Sequence, residues 1–146
     1  MKKIIESKRL YLREFISEDA QAIYELHSSE LVMKYMLRAR ITDHSKSVDF
    51  IKECKNYNLK NPGLGIWATL LKHEDKLIGW TTLKHLENTE EIEIGYRYFP
   101  EYWGKGLCTE ISSKLVEYGF SKILLNRIVG ITHPDNKASI RVLEKL

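Results

Sequence analysis

Between Glu91 and Glu110 the chain passes from one backbone period to another across a pair of glycines, and this passage limits what the rest can fold into. Ile92, Ile94, Tyr96 and Tyr98 alternate with Glu91, Glu93, Gly95 and Arg97, the two-residue period of a pleated strand. Pro100 turns the chain. Cys108, Ile111, Leu115 and Gly119 then recur at helical spacing, which predicts a helix to about Ile123. Between strand and helix lies Gly104-Lys105-Gly106, where the absence of a Cβ lets backbone amides approach a bulky ligand and the helix adds its positive N-terminal end. Strand, glycine loop and helix start together point to a place that holds phosphates; a flexible loop before a surface helix is the plain alternative. A Walker loop requires G-x-x-x-x-G-K-[ST], and a dinucleotide fingerprint requires a third glycine where Thr109 stands. Neither fits.

The flanking sequence supplies further elements. Arg9 to Glu14 reads as a strand. Ser17 offers a cap for a helix with Glu18 and Asp19 in its first turn, ending at His27. Leu31 to Thr42 is apolar without a clean period and is expected as a short helix plus loop. Ser45 to Asn58 is helical, and Asn61-Pro62-Gly63 breaks it. Gly65 to Lys72 and Leu77 to Leu86 are strands joined by a turn at Glu74-Asp75, and Asn88-Thr89 turns into the central strand, so these neighbours are antiparallel. Arg127 to His133 is predicted as a strand parallel to the central one, because strand, helix, strand forms a crossover unit. The last helix begins at Asn136, with Val142, Leu143 and Leu146 on its apolar face and Ser139 on the same face, its hydroxyl inward. The expected fold class is α/β (α+β), a mixed and mostly antiparallel sheet flanked by helices, in a single domain over residues 1–146.

At 146 residues the chain buries a core without disulfides or metals. Cys54 and Cys108 lack C-x-x-C spacing and read as reduced thiols of a cytoplasmic protein. The amino terminus lacks the apolar run of a signal peptide, and nowhere do about eighteen apolar residues follow one another, so no membrane partner is expected. The net charge of +3, with lysines spread along the chain, gives no ground for a nucleic-acid partner. His27, His44, His73 and His85 show no metal spacing and read as surface or loop residues, and no metal is expected.

Glu93-Ile94-Gly95-Tyr96, followed by Pro100 to Gly106 and Thr109-Glu110, resembles the acetyl-coenzyme A motif of the GNAT superfamily of N-acetyltransferases. Arg9-Leu10-Tyr11-Leu12-Arg13 with Asp19-Ala20, and Asn136-Lys137-Ala138-Ser139, are similar to the ribosomal-protein N-terminal acetyltransferase-like branch. Three matches in order cover nearly the whole chain; Glu101 stands where the superfamily has Gln or Arg. The resemblance implies a β-α-β core in which two parallel strands splay and the pantetheine arm of acetyl-CoA enters between them. It implies cofactor contacts from Tyr96, Tyr98, Phe99, Trp103, Gly104, Lys105, Gly106, Leu107, Cys108, Thr109 and Asn136. Family members continue with two more strands, so the chain is expected to be C-terminally shortened, with an open sheet edge that a second copy in a homodimer would cover.

Acetyl transfer to an amine needs a base, because an ammonium of pKa about 10.4 is a free nucleophile in roughly one molecule of a few thousand at neutral pH. It also needs donors for the thioester oxygen and an acid for the departing thiolate. Glu93, on the face of its strand opposite Ile92, Ile94 and Tyr96, is the candidate base; a structural carboxylate bonded to an amide or to Arg13 is the alternative, and Glu91 and His133 are the next choices. Arg97 shares that face, but four residues along a strand separate it from Glu93 by about 13 Å. Ser139 is the candidate acid in the resembling branch, against a buried serine bonded to its own helix. Asn136 serves as a helix cap, as a pantetheine ligand, or as both, and Arg141 meets a ribose phosphate or water. Two functions follow: an acetyl-CoA-dependent N-acetyltransferase acting on a primary amine of a protein N-terminus or small molecule, or a GNAT-fold module that holds coenzyme A without transfer.

Overall fold

The computed structural model describes residues 2–36 and 40–146. Its centre is a five-stranded antiparallel sheet in sequence order, β1 (Ile5–Glu6), β2 (Leu10–Arg13), β3 (Gly65–Leu71), β4 (Lys76–His85) and β5 (Ile92–Tyr98). Helices α1 (Ala20–Ser28), α2 (Glu30–Met33) and α3 (His44–Lys60) connect β2 to β3, and α4 (Leu107–Ser121) and α5 (Lys137–Glu144) follow β5. Of the expected segment Leu31 to Thr42, residues 31–33 are helical and Leu37 lies outside the described residues.

The pleat sends alternate residues into two apolar layers. Leu10, Leu12, Trp67, Leu83, Ile94 and Tyr98 pack with Leu107, Ile111 and Leu115 of α4. Tyr11, Phe15, Ala68 and Leu70 pack on the other side with Ile23 and Leu26 of α1 and Ile51 and Cys54 of α3. Ile111 and Leu115 are fully buried, each contributing about 1.5–3 kcal/mol of apolar burial. The sheet is thereby held between helices, and β5 is fixed against α4.

Three local expectations change. Arg127 to His133 does not form a strand: a single parallel bridge joins Val129 to Glu93, with Val129 N donating to Ile92 O (2.9 Å) and Ile94 N to Val129 O (2.9 Å). A strand persists where successive backbone groups find partners, and here Gly130 intervenes and Pro134 has no N–H to give. Gly130 has a further role, since a Cβ there would come within 2.5 Å of Leu143 Cδ2, so its absence lets α5 lie against this segment. The β-α-β unit therefore has the predicted direction but closes through one bridge. Second, Ser17 makes no capping bond; Asp19 instead accepts from Ile16 N at 2.9 Å and pairs with Arg13 at 2.8 Å. The buried Arg13 guanidinium requires a carboxylate, and that demand decides the turn. Third, His27 is buried (3% exposed), accepting from Trp80 Nε1 at 3.1 Å, and His85 Nδ1 meets Tyr57 Oη at 2.7 Å. Neither is a bare surface residue.

Candidate active site

The glycine loop is open. Gly104 and Gly106 have φ of 71° and 75°, the left-handed region that costs a Cβ-bearing residue dearly. A Cβ on Gly104 would meet nothing within 4 Å, and one on Gly106 only Arg9 Nη2 at 3.6 Å. Gly106 is the residue from which α4 starts, and Glu110 N closes the first helical bond on its carbonyl at 3.0 Å. The amides of Leu107, Cys108 and Thr109 thus precede any intrahelical partner. Trp103, 44% exposed, donates from Nε1 to Tyr98 O at 2.9 Å and ties the loop to the end of β5. Gly104, Lys105 and Gly106 are exposed, and Thr109 is half-buried. Tyr98 and Leu107 point into the core, so a ligand can reach them only through backbone. Tyr98 Oη bonds Thr81 Oγ1, Phe99 is half-buried, and burial pushes the Cys108 thiol up to about 12.

Beside the loop runs an open strand edge. Ile92 O and Ile94 N point at Val129, so by the pleat Tyr96 N–H and C=O face the same way. Among the described residues no backbone bond joins this edge to residues 130–133 beyond the bridge. Among the described residues the Tyr96 N–H and C=O therefore have no backbone partner on that side of β5.

Side chains approach this edge from both faces. Glu93 is half-buried, directly across from Lys84 of β4, with Nζ at 3.8 Å. Burial raises its carboxyl above the ordinary range and the Lys84 charge opposes the rise. Arg13 is engaged by Asp19, and Glu91 pairs with Arg127 at 3.1 Å, which removes Arg13 as a partner for Glu93 and occupies the second-choice base. Arg97 stacks on Trp80 at 5.0 Å and does not reach Glu93. On the opposite face, Tyr96 Oη lies 2.9 Å from Ser139 Oγ and donates to Ser139 O at 3.1 Å. With its one proton so used, the phenol accepts from Ser139, whose hydroxyl faces the sheet as its helical position predicts. Burial pushes the Tyr96 phenol up to about 12, so it stays neutral. Asn136 caps α5, accepting from Ser139 N at 3.2 Å. His133 sits against Tyr35, ring centroids 5.2 Å apart, and its Nδ1 accepts from Asp135 N at 3.1 Å.

The sequence residues 9–146 match the acetyltransferase (GNAT) domain family. The chain belongs to the GNAT acetyltransferase family. The uncharacterized N-acetyltransferase YnaD of Bacillus subtilis is 34% identical over 142 residues, 97% of this chain and 80% of that protein. A GNAT-family acetyltransferase from Bacillus anthracis superposes with a TM-score of 0.82 at 30% identity, covering 97% of this chain and 80% of the other. The spermidine N-acetyltransferase of Vibrio cholerae, solved in complex with CoA and spermine, shares the fold at a TM-score of 0.74 and 20% identity, with 94% and 79% covered.

As a GNAT acetyltransferase the protein carries two groupings that sequence reasoning left unconnected. Arg9 and Glu110 each belong to a stretch recognised in the sequence, yet nothing in either stretch says that they meet. Ser7 Oγ and Arg9 N both donate to Glu110 Oε2, the latter at 2.8 Å, and Arg9 Nε donates to Oε1 at 2.8 Å. The second grouping is Tyr57 with His85: Tyr57 Oη accepts from His85 N at 2.8 Å and shares a hydrogen bond with His85 Nδ1 at 2.7 Å. Burial raises the Tyr57 phenol, and the Glu93 charge adds to the effect. Among the described residues no group of three or more His, Cys, Asp or Glu is arranged to hold a metal, and no helix is long and apolar enough to cross a membrane.

Proposed function

We propose that this GNAT acetyltransferase moves the acetyl group of acetyl-CoA directly to a primary amine, with Glu93 as base and Ser139 as proton donor. The observation that carries the reading is the uncovered Gly104–Gly106 loop at the tip of α4, set beside an unpaired edge of β5. Amides of the loop and of Leu107, Cys108 and Thr109 hold the diphosphate, helped by the helix end. Trp103 and Lys105 flank it, and the exposed backbone of Tyr96, Tyr98 and Phe99, with Asn136, holds the pantetheine arm as a further strand would be held. An acyl group laid along that edge has Glu93 on one face of the strand and the Tyr96–Ser139 pair on the other.

Glu93 takes a proton from the incoming ammonium, and the neutral amine attacks the acyl carbon. An amide N–H of β5 donates to the developing oxyanion. The C–S bond then breaks, the attacking nitrogen gives its remaining extra proton to water, and Ser139 turns its hydroxyl from Tyr96 to protonate the thiolate and is itself reprotonated from water. Holding both reactants on one strand edge supplies much of the remaining acceleration. The acceptor is a protein N-terminus or a small-molecule amine; the spermine bound in the V. cholerae relative supports the second.

Calorimetry with acetyl-CoA, followed by thiol release over a panel of amines and N-terminal peptides, tests this. Saturable binding and acceptor-dependent thiol release are expected. Binding with no turnover on any acceptor would reduce the chain to a coenzyme A-binding module, and no binding would remove the reading altogether.

A further inference from the structure

The loop that faces the diphosphate carries a carboxylate, Glu101, at its first position, and a second carboxylate, Glu110, sits in the first turn of the helix behind it. Two negative charges beside a dianion oppose binding unless something offsets them. Arg9, from the turn before β2, lies at that point. Its backbone N and Nε hold the two oxygens of Glu110, Nη1 donates to Lys105 O at 3.2 Å, and Nη2 lies 3.6 Å from the place of a Cβ on Gly106. Nη2 makes no hydrogen bond among the described residues, and the side chain is 43% exposed on the loop's open side.

We infer that Arg9 is a cofactor-binding and positioning residue: it neutralises Glu110, fixes the Lys105 carbonyl so that the glycine amides point outward, and offers Nη2 to the diphosphate. A residue from the opposite end of the chain thus supplies the side-chain cation that the loop lacks at Glu101. The planar fork suits this double duty. One edge grips a carboxylate while the remaining N–H groups meet a phosphate oxygen, which a lysine's point charge cannot do at once. The inference rests on the proposed function, since it assumes that the loop receives a diphosphate.

The test is a set of titrations of the intact protein and three variants with CoA and with pantetheine, which has no diphosphate. Arg9→Ala is expected to weaken CoA about 10- to 100-fold, the range of a charge-assisted bond lost to a buried or half-buried anion. Pantetheine affinity should stay at the wild-type value, and Arg9→Lys should recover part of the CoA loss. Glu110→Gln keeps an acceptor for Ser7 Oγ and Arg9 N, removes the charge and turns an amide NH2 toward Arg9 Nε, which releases the guanidinium to the phosphate, so it should bind CoA as tightly as wild type or more tightly. Equal weakening of CoA and pantetheine in Arg9→Ala, or equal loss of CoA in Arg9→Ala and Glu110→Gln, would make the cluster a structural clamp and overturn the inference. Unchanged CoA affinity in Arg9→Ala would overturn it alone, whereas wild-type protein that binds no CoA would overturn the proposed function with it.

Discussion

Glu93→Gln should lower kcat/KM for acetyl transfer by about 10² to 10⁴, the usual worth of a positioned general base, while leaving CoA affinity at the wild-type value. The amide is nearly isosteric and still accepts hydrogen bonds, but it cannot take the ammonium proton. The pH dependence should carry the same signature. Burial raises the Glu93 carboxyl, and only its ionised form is a base, so the acid limb of kcat/KM should lie above the ordinary glutamate value of about 4.3. Lys84 opposes the rise from across the strand, so Lys84→Met should move that limb to higher pH still. Stability should change in the opposite sense to activity. A carboxyl whose folded-state pKa is raised contributes stability that is complete below the unfolded value and is lost as pH rises through the folded value. At pH 7 the wild type has forfeited that contribution. The uncharged glutamine keeps it, so Glu93→Gln should melt at or above the wild-type temperature at pH 7, with the difference closing toward pH 3. A variant that melts lower and retains wild-type kcat/KM would show Glu93 to be a structural carboxylate.

The site was legible where its logic is local and obscure where it depends on meetings across the chain. The alternation from Ile92 to Tyr98, the two glycines and the α4 spacing follow from backbone period alone, so β5, the loop and the helix appear at the predicted places. Ser139 also faces β5 as its place in the helix requires. The segment from Arg127 to His133 has the composition of a strand, but composition cannot say whether a neighbour lies along its whole length, and only Val129 is bridged. His27 could have been found, because it follows Ile23 by four positions and Leu26 by one on the buried face of α1, and Trp80 needs an acceptor for its indole N–H. Arg9 and Glu110 are 101 residues apart, and no periodicity reaches that far. Their pairing exists because β2 begins beside the start of α4 in the folded sheet.

Gly106→Val tests the proposed diphosphate anchor, and CoA affinity should fall on the order of 100-fold. Two costs combine. A φ of 75° is the left-handed region, where a residue with a Cβ loses roughly 1–2 kcal/mol and a β-branched residue is an outlier. The branched side chain would also project over the loop toward Arg9 Nη2, into the space that a diphosphate needs. Gly104→Ala separates the two costs, because its Cβ would meet nothing within 4 Å and only the backbone preference changes. It should therefore weaken CoA less than Gly106→Val while melting at a similar temperature. Pantetheine affinity should be nearly the same in both variants and in wild type, since the edge of β5 is untouched. In the proposed arrangement the acetyl group is placed by tethering at one end and strand-like pairing along the other, so a loosened tether should also lower kcat at saturating acetyl-CoA. A Gly106→Val protein that bound CoA as tightly as wild type would mean that the diphosphate lies elsewhere, and the geometry proposed for Glu93 and Ser139 would lose its reference point.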